Sequence, residues 1–156
     1  MQPFTRREFL TTTTLALTLP HLAHAQPQAT IPWQTWAQGS QRAAAEHKAI
    51  GLLIYADWCP HCRELEPLLR EAEIVKLAHP LIMIRQNADE HAEWVTQRFG
   101  RLGTYVPRLF FLHPDGSIAE EIQSGNTRFP YFYQPHQPET LRSALKRAAA
   151  LAGKHG

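Results

Sequence analysis

The stretch that decides the fold is Ile50-Gly51-Leu52-Leu53-Ile54-Tyr55-Ala56-Asp57-Trp58-Cys59-Pro60-His61-Cys62. Its first six residues form a short apolar run of the kind found in a strand buried on both faces. From Pro60 the pattern turns helical, with Leu65, Leu68 and Leu69 apolar and Arg63, Glu64, Glu66, Arg70 and Glu71 polar. Cys59 and Cys62, the only cysteines of the chain, therefore fall where a strand gives way to a helix. Pro67 is expected to kink that helix.

Outward from this centre, Pro32 to about His47 reads as a helix through Trp33, Trp36, Ala37, Ala43 and Ala44, with Gly39 as an interior blemish. Downstream, Leu81 to Gln86 reads as a strand and Asp89 to Phe99 as a helix whose stripe is Ala92, Val95 and Phe99. Strand, helix, strand, helix implies a parallel βαβ core. Tyr105 to Leu112 is a further strand, and Asp115-Gly116 signals a hairpin into a strand over residues 117–123. Residues 124–138 read as irregular, and Glu139 to Ala152 as an Ala-rich helix stopped at Gly153.

The N-terminus carries Arg6-Arg7, a weakly apolar run from Phe9 to Leu19, and the small-residue pattern Ala23-His24-Ala25. This predicts a cleavable export signal over residues 1–25. Thr5-Arg6-Arg7-Glu8-Phe9-Leu10 resembles the twin-arginine type, which carries folded proteins. The run is shorter than the about 20 apolar residues a membrane span needs, so a soluble periplasmic protein is expected. Cleavage after Ala25 of the 156 residues leaves 131, enough for one domain with a sizeable core. That domain is placed over residues 32–153, behind a mobile leader at 26–31, and is expected to work as a monomer. The formal charge of +2 is too balanced to suggest a nucleic-acid or anionic-membrane partner.

The spacing of the cysteine pair limits its chemistry. A disulfide across four residues closes so small a ring that the chain-entropy gain is only about 2 kcal/mol, against about 3 for fifteen residues. A zinc site lacks a second ligand pair, so no metal centre is expected. Covalent haem needs histidine after the second cysteine, where Arg63 stands. A redox role uses the location. The sulfur of Cys59 meets unsatisfied N–H groups and the positive end of the helix, which favours thiolate. Cys62, one turn on and better shielded, is placed to attack a mixed disulfide and release the substrate. Pro60 suits the first helical position, and His61 can stabilise the thiolate by a hydrogen bond or positive charge.

These features together resemble the thioredoxin-like family. Trp58-Cys59-x-x-Cys62 after a buried strand, Pro67 five residues beyond, and Val106-Pro107 before a strand match its active-site helix, kink and cis-proline loop. Trp33-Gln34-Thr35, Gly103 to Arg108, Phe111-Leu112 and Tyr131-Phe132-Tyr133 are similar to the small endoplasmic-reticulum thioredoxin domain-containing protein 12 and anterior-gradient group. The resemblance implies a thioredoxin fold, an α/β domain with a central mixed sheet flanked by helices. It also implies a protein thiol–disulfide oxidoreductase without a cofactor beyond the Cys59–Cys62 disulfide.

Residue by residue, the resemblance makes Cys59 the nucleophile and Cys62 the resolving thiol. Pro107 becomes a cis-proline beside the pair, Val106 a backbone contact for an extended substrate, and Trp58 part of the substrate-facing surface. Cysteine-containing exported proteins are the expected substrates, and a membrane thiol–disulfide donor or acceptor a further partner. Two departures stand out. Many relatives carry a buried acid six residues before the nucleophile, where this chain has Leu53. Pro60-His61 matches the dipeptide of the periplasmic oxidant DsbA, yet Pro107 follows Cys62 by 45 positions, too few for that protein's helical insertion. A non-catalytic peptide-binding module, or a copper-handling protein using the thiols and His61, is the competing function.

Overall fold

A computed structural model of the chain describes residues 29–153. The expected export signal lies outside the described residues. Among the described residues there are five α-helices: α1 Trp36–Glu46, α2 Pro60–Leu69, α3 Ala72–Ala78, α4 Ala92–Phe99 and α5 Pro138–Ala149. Three strands, β1 Ile50–Tyr55, β2 Ile82–Asn87 and β3 Arg108–Leu112, form a sheet in the order β2-β1-β3. β1 runs parallel to β2 and antiparallel to β3, so the sheet is mixed, as expected.

Strand side chains alternate faces, and this splits the interior into two cores. Ile50, Leu52 and Ile54 join Ile82, Ile84, Phe110 and Leu112 beneath Ala43 of α1 and Val95 and Phe99 of α4. Leu53, Met83, Leu109 and Phe111 face the other way, against Leu65, Leu68 and Leu69 of α2 and Leu141, Ala144 and Leu145 of α5. The central strand is thus covered on both faces, which is why its sequence is apolar without a break.

Several boundaries differ from expectation, each for a local reason. α1 starts at Trp36 because Thr35 caps it, its hydroxyl accepting the Gln38 N–H while the Gln38 side chain returns to Thr35. Before the cap, Gln34 bridges to Ile84 and Ile31 is buried in the core, so the leader drawn over residues 26–31 runs one residue too far. α4 begins at Ala92 because Asn87 Oδ1 accepts the Asp89 N–H and Gln86 Nε2 donates to Glu90 O, holding the chain in a turn. β3 begins only after the cis Val106–Pro107 peptide.

The helical pattern read from Pro60 to Glu71 ends at Leu69, and Ala72–Ala78, to which the sequence assigns no element, form the separate α3. The hairpin at His113–Ser117 closes, with Gly116 at φ 83°. The strand expected over residues 117–123 reduces to one bridge, Leu112 to Ile118. Ala119 and Ile122 both bury in one core, and a turn from Ala119 O to Ile122 N achieves that three-residue spacing where a strand of period two does not.

Candidate active site

The end of β1 and the start of α2 place the cysteines. Cys59 is the N-cap of α2 and Pro60 its first residue. The Cys62 N–H donates to Cys59 Sγ at 3.2 Å, so the sulfur takes the position a serine or aspartate oxygen holds at other helix starts. The Cys59 thiol also faces the Val106 carbonyl oxygen at 3.5 Å, across the cis Val106–Pro107 peptide. Both cysteines are free thiols here. Burial and the contact with Cys59 push the Cys62 thiol up to about 12, against opposing pulls from the Ala56 backbone and from Arg85.

One expectation is corrected. Cys62 is expected to be the better shielded of the two, yet Cys59 is 2% exposed and Cys62 6%. The Val106–Pro107 loop lies over Cys59, and Ala56, Tyr55 and Val106 pack around the pair.

Trp58 is 65% exposed, the large apolar side chain of the surface among the described residues. Its indole N–H donates to Asp89 Oδ2 at 2.9 Å, and Asp57 accepts from Asn87 Nδ2 at 3.0 Å, tying the start of α2 to the loop after β2. A groove of about 340 Å³ runs past Trp58, Cys59 and His61, with Asp89 on one wall and Tyr105, Val106 and Arg108 on the other. Arg108 is buried and donates to Phe99 O at 3.2 Å and to Gly103 O. It caps carbonyls at the end of α4 and the turn beyond, and burial lowers its pKa from the ordinary arginine value.

The structure thus brings Trp58, Cys59, Pro60, Cys62, Val106 and Pro107 together. His61 lines the same groove, where its Nδ1 meets Glu64 Oε2 at 2.9 Å and its ring lies 5.8 Å from Phe132. Asp89 and Phe132 were missed from sequence because their contacts span 31 and 71 positions, and no local spacing encodes them.

A family model described as thioredoxin-like matches residues 32–114, more than half of the chain. The chain belongs to the thioredoxin-like family. The human anterior gradient protein 2 homolog is 25% identical over 122 residues, covering 76% of this chain. The chain in turn spans 66% of that relative's length. Protein disulfide isomerase-like 2-2 of Oryza sativa subsp. japonica is 32% identical over 88 residues, 56% of this chain and 23% of the relative. Among solved structures, one titled DsbH oxidoreductase superposes with a TM-score of 0.55 at 21% identity, covering 87% of this chain and 95% of its own. The thioredoxin fold follows, in a family whose members include protein disulfide isomerases.

Proposed function

We propose that the chain is an exported protein thiol–disulfide oxidoreductase in which Cys59 is the nucleophile and Cys62 the resolving thiol. The observation that carries this reading is the 3.2 Å hydrogen bond from Cys62 N–H to Cys59 Sγ at the start of α2. A thiolate on Cys59 gains that donor and the positive end of the helix, whereas Cys62 is held protonated. Pro60 fixes the helix start. Val106 offers its carbonyl beside the sulfur, Pro107 frames the loop, and Trp58 supplies an apolar wall for an extended peptide.

The substrates are cysteine-containing exported proteins of the periplasm. The Cys59–Cys62 disulfide is the redox group, restored by a membrane thiol–disulfide partner. Cys59→Ser should abolish both reduction and oxidation of a test protein disulfide, and Cys62→Ala should accumulate mixed disulfides that identify the substrates. Activity surviving Cys59→Ser would sink the proposal.

The burial of both thiols favours one second reading, a peptide-binding module that uses the groove without turning over. Peptide binding undiminished by Cys59→Ser, together with no redox turnover in the unaltered protein, would establish it.

A further inference from the structure

Arg108 opens β3 directly after the loop that covers Cys59, and it is 2% exposed. Its Nη1 donates to Phe99 O at 3.2 Å and to Gly103 O. The bond to Gly103 joins residues 103 and 108, so the chain from Thr104 to Pro107 becomes a loop closed by one side chain. The bond to Phe99 fixes that loop to the C-terminal end of α4, where a cation suits the helix carbonyls. A second anchor holds the middle of the loop. The Tyr105 hydroxyl accepts the Tyr131 N–H at 3.0 Å, and its ring meets Phe129 edge-on at 4.9 Å. Between the two anchors the Val106 carbonyl faces Cys59 Sγ at 3.5 Å.

As a device for stability alone, the arrangement is a poor one. Both acceptors of Arg108 are neutral carbonyls, and its Nε is buried without a hydrogen-bond partner. A guanidinium sunk in this way costs free energy that a well-packed apolar side chain does not. What the burial does achieve is a fixed loop on one wall of the groove beside Cys59.

We propose that Arg108 is a positioning residue that clasps residues 103–107 over Cys59. The clasp sets the Val106 carbonyl where an extended substrate backbone can pair with it, and it keeps small reagents off the thiol. The inference rests on the oxidoreductase reading above. Both hydrogen bonds of Arg108 go to backbone carbonyls, so it acts on the site through Val106.

The two consequences of cutting the clasp have opposite sign. In Arg108→Gln the carbonyl loses its fixed place, and KM for a protein disulfide should rise roughly tenfold, the equivalent of one backbone hydrogen bond, with turnover at saturation kept. The same release uncovers the thiol, so Cys59 should react severalfold faster with iodoacetamide. Tyr105→Phe, which removes the hydroxyl of the second anchor, should give both changes on a smaller scale.

The experiment measures KM and kcat for reduction of insulin disulfides, with dithiothreitol as electron source. Alongside, it follows alkylation of each cysteine by mass mapping, on the alkaline plateau where ionisation of Cys59 no longer limits its rate. Cys62 is the internal control, because release of the loop speeds Cys59 alone whereas general loosening of the fold speeds both. A raised KM with faster labelling of Cys59 alone is expected. An unchanged KM, unchanged labelling of Cys59, or both cysteines speeding alike overturns the inference. Should Arg108→Gln fail to fold, Tyr105→Phe decides by the same readings. An unaltered protein that reduces no insulin sinks the oxidoreductase reading, and the labelling rates of the two cysteines then decide the clasp alone.

Discussion

Cys62 donates its amide to Cys59 Sγ, while its own thiol is pushed up to about 12 by burial and by that same neighbour. Reduced protein at mildly acidic pH should therefore be alkylated first at Cys59, read by mass mapping, and labelling of Cys62 first would reverse the roles. The same shift makes stability depend on pH. The folded state keeps the Cys62 proton where an unfolded thiol, with a pKa of about 8.5, has lost it, so the unfolded chain binds fewer protons between that value and about 12. Stability of the reduced protein should be full below about pH 8.5 and fall as pH rises through this window. Urea midpoints measured across it should fall for the reduced protein and stay flat for Cys62→Ala up to the tyrosine range. His61 bears on direction. Its imidazole is engaged with Glu64 one turn into α2, beside the N-cap sulfur of Cys59. A reduction potential above thioredoxin's roughly −270 mV and nearer about −180 mV is expected, falling on His61→Pro by about 30 mV, or about 1.4 kcal/mol. Equilibration with glutathione measures both, and a value at or below thioredoxin's would point to a reductant.

At the level of elements, β1 and α2 were legible because one is an unbroken apolar run, the other a helical stripe, and the two meet at a clear joint at Cys59. Gly39 was not. In sequence it looks like a flaw in a helix, but a Cβ there would sit 2.5 Å from Ile84 Cδ1 and nearer still to Cγ1, so α1 approaches β2 through the missing side chain. Helix propensity alone makes Gly39→Ala a gain of about 1 kcal/mol. Overpacking against a buried strand residue costs about 1–3 kcal/mol and should win. Gly51→Ala meets the flexible end of Met83, with Sδ at 2.6 Å, and should cost less. Denaturant midpoints would order the variants as unaltered, Gly51→Ala, Gly39→Ala, and a stabilised Gly39→Ala would refute the close approach. α3 and the shortened hairpin escaped sequence reading for a related reason: both are set by packing onto a distant core, which local period does not report.

Across the whole molecule, the two-sided core and the cysteine joint follow from short runs of sequence, whereas the side-chain ties between distant segments do not. Trp58 to Asp89, Arg85 to Glu66 and His61 to Phe132 join residues far apart in the chain, and each required the fold first. The core itself is assembled with both cysteines as free thiols, so no cross-link is needed to hold it. The export route expected from Thr5 to Leu10 carries proteins that have already folded. No helix among the described residues is long and apolar enough to cross a membrane. Changing Arg6 and Arg7 both to lysine should leave an unprocessed, folded precursor in the cytoplasm, seen as a larger band that resists protease and keeps its thiols reduced. Normal processing in that variant would assign the general secretory route, in which the chain crosses unfolded and Cys59 and Cys62 meet their first partner before the core has closed around them.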